Sequence, residues 1–465
     1  MDKGRILVVD DEESIVHTLT GILRDEGFDV QWATDGDQAL TLLQTVLPDV
    51  MLLDIWLPGR DGIETLQALK AMHADVEVIV MSGHGNIETA VKATKLGAFD
   101  YLEKPLSMEG VLAAVSQALD QRQHLVPPSA NLPLQPMHAR LNSLPPTPPI
   151  PHQASRPRRR MALPPVPSAR PLEPLSAPPQ LKQRTLRRSV VLYGQGLQSG
   201  QKTGIILSPL PPHSGIIFQS IPSGHTLPAS IDYVKSTDFC TSLQHGRIAA
   251  NTIEHILSTL HAYRISNLLI KISDEVPIMD GSALDFCTLI ETGGIAEQEA
   301  VAEEFLVNRC YYIGEPRPET KFILVEPYDG FRVTYRLAYP PPLGVQEFTY
   351  EHEDSTSYRR EIAPARTFGF VRDVEKMHEL GLIAGGRLNN VILIDDAKIV
   401  NSVRLRFPNE FARHKVLDII GDLYLLGKPL RGHVRANMSG HTENVALVQQ
   451  LRAAMRQSEP YEPHP

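Results

Sequence analysis

RILVVDDEE, residues 5–13, opens the chain with five strand-forming residues that run straight into acidic ones. Its apolar residues are consecutive rather than alternating, the pattern of a strand buried on both faces. Working outward, short β-rich runs of this kind recur as FDVQWA (28–33), VMLLD (50–54), VEVIVMS (76–82) and FDYLEK (99–104). Helical periods separate them, for example ESIVHTLTGILRDEG (13–27). Strand and helix in alternation predict an α/β fold over residues 1–122, a doubly wound, parallel five-stranded sheet with helices on both faces.

Ligands of such a sheet sit at the carboxyl ends of the strands. Asp10 and Asp11 end the first strand, Asp54 the third, Ser82 the fourth and Lys104 the fifth. Three carboxylates on one rim repel each other unless a hard cation joins them, and an open oxygen-rich site suits Mg²⁺. Asp54 is then placed to accept a phosphoryl group, with Lys104 neutralising its oxygens and Ser82 hydrogen-bonding them. An Asp-Asp pair alone says little, because most are solvated loop ends; the full set at strand ends is specific.

With DIWLPGRDGIETL (54–66) and MSGHGNIETAVKATKLGAFDYLEKPL (81–106), this region resembles the receiver domain of bacterial two-component response regulators. The resemblance implies Mg²⁺ at Asp10, Asp11 and Asp54, with the Trp56 carbonyl as a further ligand. It also implies phosphorylation of Asp54 by a sensor histidine kinase, and Tyr101 as the aromatic that switches together with Ser82.

Of the 38 prolines, 17 lie between Pro127 and Pro179. That stretch has few aromatics and no helical or strand period, so it cannot bury enough apolar surface to offset its ordering entropy. Residues 123–180 are expected to be a disordered, locally stiff linker. Its basic knot, Arg158–Arg160, reads as a solvated patch.

The remaining residues mix strand-like runs, TGIILSPL (203–210), NLLIKIS (267–273) and NVILIDD (390–396), with helical runs, TIEHILSTLHAY (252–263) and NEFARHKVLDIIGDLYLL (409–426). They do not alternate regularly, so α+β is expected. On a helix, His414, Asp418 and Asp422 share one face at i, i+4 and i+8, while Val416, Leu417, Ile419 and Ile420 point into a core. An imidazole and a carboxylate one turn apart can chelate a metal, although the spacing is common by chance. Glu254 and His255 lie on another apolar-patterned helix, where buried charge is costly unless it is paired or metal-bound. Two histidines and a carboxylate with an open position make a catalytic zinc arrangement. Spacing leaves His441 and His261 open as further ligands.

GQGLQSG (194–200), TIEHILSTL (252–260), EVPIMDGSA (275–283), ARTFGF (365–370), NEFARHKVLDIIGDL (409–423) and SGH (439–441) occur in order. Over residues 181–457 the chain resembles the UDP-3-O-acyl-N-acetylglucosamine deacetylases of lipid A biosynthesis. The resemblance implies two similar sheet-and-helix-layer subdomains, 181–300 and 301–459. It places zinc on His255, His414 and Asp418, a general base at Glu254 and a general acid at His441, which removes His441 from the metal shell. It further implies that Thr367 holds the oxyanion, Asp422 orients His441, Lys415 faces the substrate diphosphate and Phe368 lines the sugar site. The segment 369–394 is expected to line an acyl passage, with Val371, Val374 and Met377 as candidate lining residues. Two positions depart from the family pattern: Gln198 replaces a histidine, and Arg387 stands where a small residue is usual.

The resulting expectation is a zinc-dependent amide hydrolase regulated through its receiver. The alternative is a catalytically weakened deacetylase fold that senses the UDP-sugar. The net charge of −9 argues against general nucleic-acid binding. No apolar run reaches the roughly 18 residues that span a bilayer, and the N-terminus lacks a signal-peptide core; a cytoplasmic protein is expected. Cys240, Cys287 and Cys310 form no CxxC pair and are read as buried, reduced thiols.

Overall fold

The computed structural model describes residues 3–45, 47–72, 74–83, 87–104, 106–125, 181–396, 398–401 and 404–458. Residues 126–180, which hold the proline-rich stretch and Arg158–Arg160, lie outside the described residues, whereas 123–125, expected in the linker, still belong to the helix Met108–Leu125.

The N-terminal part is a parallel five-stranded sheet. Its strands are β1 (Arg5–Val9), β2 (Asp29–Ala33), β3 (Val50–Asp54), β4 (Glu77–Ser82) and β5 (Asp100–Glu103), in the order β2-β1-β3-β4-β5. Five helices connect and follow them: α1 (Glu13–Asp25), α2 (Gly36–Leu43), α3 (Gly62–Ala71), α4 (Ile87–Lys95) and α5 (Met108–Leu125). The consecutive apolar residues of β1 divide between the two faces. Ile6 and Val8 pack with Leu19 and Leu23 of α1 and Val111 and Val115 of α5. Leu7 and Val9 pack with Ala39 of α2, Leu66 of α3 and Val91 of α4. Both faces are therefore dry, as the unbroken apolar runs require.

The C-terminal part is mixed α+β. Its first sheet runs Thr226–Pro228, Ile216–Ser220, Leu268–Ile272, Lys202–Pro209, Val190–Gln195. The helices α6 (Glu254–Ala262) and α7 (Leu284–Gly293) belong to the same half. The second sheet runs Tyr311–Ile313, Phe322–Glu326, Leu430–Asn437, Phe331–Ala338, Val345–Glu351, with Phe305–Leu306 added beside Leu430–Asn437. The helices of this half are α8 (Ser355–Glu361), α9 (Val371–Glu379) and α10 (Glu410–Leu423), all ahead of the strand Leu430–Asn437, and α11 (His441–Ser458), which follows it. Strict alternation of burial along Phe331–Ala338 marks a sheet with one dry face; α10 and α11 pack against this second sheet.

The two halves meet where α6 crosses α10. Gly421 sits at the crossing: a Cβ there would stand 2.1 Å from the Glu254 carbonyl oxygen. Only glycine lets the two backbones approach this closely. The crossing brings α6 residues 254 and 255 level with α10 residues 414–422.

Between α8 and α10 in the chain, Phe368–Phe370 pairs in parallel with Ile392–Ile394, and α9 lies between them in sequence. This is a small β-α-β insert over the span 369–394. Cys240 and Cys287 are buried, but Cys310 is exposed. Cys310 falls in the irregular segment just ahead of Tyr311–Ile313 rather than inside an element, which corrects the expectation of three buried thiols. Among the described residues no helix is long and apolar enough to cross a membrane.

Candidate functional site

His255 enters from the first turn of α6, and His414 and Asp418 from successive turns of α10. Ligand atoms of these three residues lie within 4.8 Å of one another. Asp418 Oδ1 is 3.3 Å from His414 Nε2 and 4.0 Å from His255 Nε2. His414 Nδ1 lies 3.0 Å from the Ala365 carbonyl, so it donates there and leaves Nε2 unprotonated toward Asp418. Burial, then His414, pushes the His255 imidazole down to about 3, and burial also lowers His414. Both rings are therefore neutral, as metal ligands must be. Burial would raise Asp418, but neighbouring positive charge outweighs it and holds the carboxyl below the usual range; with both rings neutral, Lys415 is the cation that supplies it. Asp418 Oδ1 is buried without a hydrogen-bond partner. An ionised orphan oxygen facing two imidazole lone pairs is a donor set that fits a divalent cation, and two nitrogens with one oxygen suit zinc.

Next to this cluster, burial pushes Glu254 up to about 7, with Asp422 and Asp418 adding to the rise and His441 opposing it. His441 begins α11, where the helix dipole disfavours positive charge. Burial would strip its proton, but Asp422 overrides both effects and the imidazole is pushed up to about 9. Asp422 Oδ2 lies 2.8 Å from His441 Nδ1 and accepts a hydrogen bond from Asn444 Nδ2 at 2.9 Å.

Thr241 links the two sides of the site. Its hydroxyl donates to Asp422 Oδ1 at 2.6 Å and its backbone N–H donates to Glu254 Oε2 at 3.1 Å. The sequence reading missed Thr241 and Asn444. Neither carries charge or stands in a periodic pattern that would mark it.

One pocket joins these groups. Its polar wall includes Glu254, His255, Thr367, His414, Lys415 and His441, and its apolar wall includes Phe368, Val374, Met377, Ile383 and Leu393. Val371 is buried in the core beside the pocket and does not line it. Thr367 is held from the chain on either side of it. Its N–H donates to the Gly281 carbonyl at 2.8 Å. The preceding Arg366 forms a buried ion pair with Glu410, Nε to Oε1 2.8 Å, which ties ARTFGF to the start of α10. Lys415 Nζ donates to Asp418 Oδ2 at 2.9 Å and lies 5.4 Å from the Phe368 ring centroid.

Gln198 also lines the pocket and is 9% exposed. Its backbone N–H donates to Glu275 Oε1 at 2.7 Å. Its side-chain Oε1 accepts from the Ile383 N–H at 3.1 Å. His261, left open as a ligand on spacing, packs instead against Phe331, His352 and Tyr424.

In the N-terminal part, Asp10, Asp11 and Asp54 form a second cluster with ligand oxygens within 4.8 Å. Lys104 Nζ lies 2.7 Å from Asp10 Oδ2 and 3.1 Å from Asp54 Oδ2. Burial raises Asp54, Lys104 lowers it and Asp10 raises it again. Excess negative charge on a partly desolvated rim fits an oxygen-seeking cation such as Mg²⁺. Ser82 and Tyr101 are buried nearby, and Trp56 is 62% exposed. Gly62 allows close approach here: a Cβ would stand 2.1 Å from the Asp54 carbonyl oxygen.

Comparison with known proteins agrees with both halves. Residues 6–116 match the response regulator receiver domain family. The receiver domain of NtrX from Brucella abortus is 44% identical, with 25% of this chain and 98% of that chain covered and a TM-score of 0.24. A UDP-3-O-acyl-N-acetylglucosamine deacetylase of Coxiella burnetii is 41% identical over 279 residues, which cover 59% of this chain and 91% of the relative. Its counterpart from Acidithiobacillus ferrooxidans is 40% identical over 277 residues, covering 58% and 90%. Residues 183–453 match the family model for UDP-3-O-acyl N-acetylglycosamine deacetylase, and with an active-site-like pocket built from those same residues the chain belongs to that family, with a receiver domain ahead of it.

Proposed function

We propose that the chain hydrolyses the N-acetyl group of UDP-3-O-acyl-N-acetylglucosamine, a step of lipid A biosynthesis, using zinc held by His255, His414 and Asp418. What supports this reading most is that His255, His414 and Asp418 cluster in the same pocket as Glu254 and His441, the latter bonded to Asp422. The deacetylase half is assigned residues 181–459, in subdomains 181–300 and 301–459, following a receiver at 1–122 and a linker at 123–180.

Zinc held by His255, His414 and Asp418 would supply Lewis acidity for water addition to the amide. Glu254 accepts the water's proton as the oxygen adds to the acetamide carbon. The Thr367 hydroxyl donates to the developing oxyanion. His441, charged at neutral pH, gives its proton to the amine nitrogen as the C–N bond breaks. One water is consumed, and acetate and the free amino sugar leave. Lys415 takes the diphosphate side, Phe368 the sugar, and the apolar wall the 3-O-acyl chain.

The receiver is assigned phosphorylation on Asp54 by a sensor histidine kinase, with Mg²⁺ at Asp10, Asp11, Asp54 and the Trp56 carbonyl. Lys104 neutralises the phosphoryl oxygens, and Ser82 and Tyr101 respond to them.

The test is turnover of the UDP-linked substrate by the full chain with zinc, beside Glu254→Ala. Turnover that Glu254→Ala abolishes, with substrate still bound, is the expected result. A parent chain that binds substrate and never turns it over would establish the sensor reading instead, for which Gln198 is the departure to examine.

A further inference from the structure

The receiver and the deacetylase half pack as one unit, and their contact falls on the wall of the substrate pocket. At the end of α4, Lys95 forms an ion pair with Glu375 of α9. Just before β5, the Phe99 carbonyl accepts a hydrogen bond from Lys398 Nζ, which also stacks 5.0 Å from the Phe99 ring centroid. Lys398 follows the strand Ile392–Ile394 of the insert.

Apolar packing runs through the same place. One continuous buried cluster holds Val91 and Tyr101 of the receiver together with Val374, Ile383 and Leu388 of the insert. Arg387, the residue that departs from the family pattern, lies close enough to Tyr101 and Glu103 to act on both electrostatically.

Helix α9 therefore has two occupied sides. Val374 and Met377 line the pocket that holds the metal-ligand cluster. Glu375, about 100° around the helix from Val374, meets the receiver. Strand β5 has two occupied ends in the same sense: the chain entering it touches Lys398, and Lys104 just beyond it lies 3.1 Å from Asp54. Only four residues lie between Phe99 and Lys104, and Tyr101 among them is buried.

We propose that α4 and β5 of the receiver form a docking surface for α9 and its flanking strands, and that the state of Asp54 is read out as the setting of Val374 and Met377 in the apolar half of the pocket. This deepens the functional reading above and rests on it for the identity of the acyl chain. The receiver then controls how the acyl chain is accepted and leaves the metal-side chemistry unchanged. A short acyl group does not reach the apolar wall and is insensitive to it. Nearness alone does not establish coupling; a two-state response of α9 does.

The test uses the full chain with Mg²⁺, and with beryllofluoride as a stable mimic of an aspartyl phosphate. Amide exchange over residues 371–379 is expected to change when beryllofluoride is added to the parent and to stay fixed in Asp54→Asn. Lys95→Glu is expected to speed that exchange about two- to fivefold, the size of an exposed ion pair, and Lys95→Glu with Glu375→Lys to restore it. Steady-state turnover on long- and short-acyl substrates is the second readout. KM for the long chain is expected to move by a similar factor and KM for the short chain to hold. Exchange over 371–379 that ignores both beryllofluoride and Lys95→Glu overturns the docking surface. Exchange that responds while both KM values stay constant overturns the acyl-chain readout. No turnover in any variant sinks the deacetylase reading, while the exchange result still decides the docking.

Discussion

Asp422 Oδ2 lies 2.8 Å from Nδ1 of His441, on a carboxylate that has no exposure to solvent. Asp422 holds a proton on an imidazole that burial and a helix N-terminus would both discharge, and His441 is pushed up to about 9. A general acid works only while protonated. Activity should therefore persist through neutral pH and fall as pH rises through about 9. In Asp422→Asn the alkaline limb should move down toward the unperturbed histidine value of about 6.5, with kcat/KM near pH 7.5 reduced about tenfold by the lost protonation alone. A pH profile of kcat/KM for both proteins checks this. An unmoved alkaline limb would remove His441 from the acid role.

Zinc content separates the candidate ligands from the remaining histidines. Asp418→Ala and His255→Ala should each lower bound zinc from about one per chain toward none, measured by elemental analysis after dialysis. His261→Ala should retain the metal, since His261 packs among Phe331, His352 and Tyr424. Loss of zinc in His261→Ala with the fold intact would put the ligand set in error.

The receiver was legible because its signal is local. Four of the five apolar runs end in chemistry-bearing residues, and a parallel sheet brings such ends to one rim. The pair His414 and Asp418 was legible for a similar reason, since one helix sets their spacing. The choice between His441 and His261 was not, because it depends on where α11 begins relative to α10. Thr241 and the Arg366–Glu410 pair were missed altogether. Their partners lie 181 and 44 residues away along the chain, and no periodicity reports so distant a pairing. Cys310 failed in the other direction: cysteine is usually buried, and here it falls between elements.

Gly421 sets how deeply α6 and α10 interpenetrate, and with that the placement of Glu254 against Asp418. A methyl group at 421 would meet the Glu254 carbonyl oxygen at 2.1 Å. Backbone on both sides leaves no flexible side chain to yield. Gly421→Ala should lower unfolding stability by about 1–3 kcal/mol and reduce kcat more than it raises KM, because Glu254, the proposed proton acceptor, is displaced. Denaturant titration beside steady-state kinetics checks both effects. A variant with parental kcat would mean that the crossing does not set the site.

Gln198 acts on the far wall of the pocket. Ile383 has φ +53°, a conformation that β-branched residues rarely adopt. Its N–H is taken by Gln198 Oε1 at 3.1 Å, and Ile383 itself lines the pocket. The amide thus clamps a strained turn that shapes the apolar wall. The Gln198 backbone is anchored separately, by Glu275, so removing the side chain leaves that anchor in place. Gln198→Ala should orphan the Ile383 N–H, a loss of about 1–3 kcal/mol. The turn relaxes, KM for a long-acyl substrate rises, and kcat on a short one and zinc content stay unchanged. Gln198→His supplies a ring nitrogen that can accept the same N–H and should come close to the parent. If Gln198→Ala lowers kcat equally on both substrates, or loses zinc, Gln198 belongs to the reacting half of the pocket and the weakened-sensor reading gains ground.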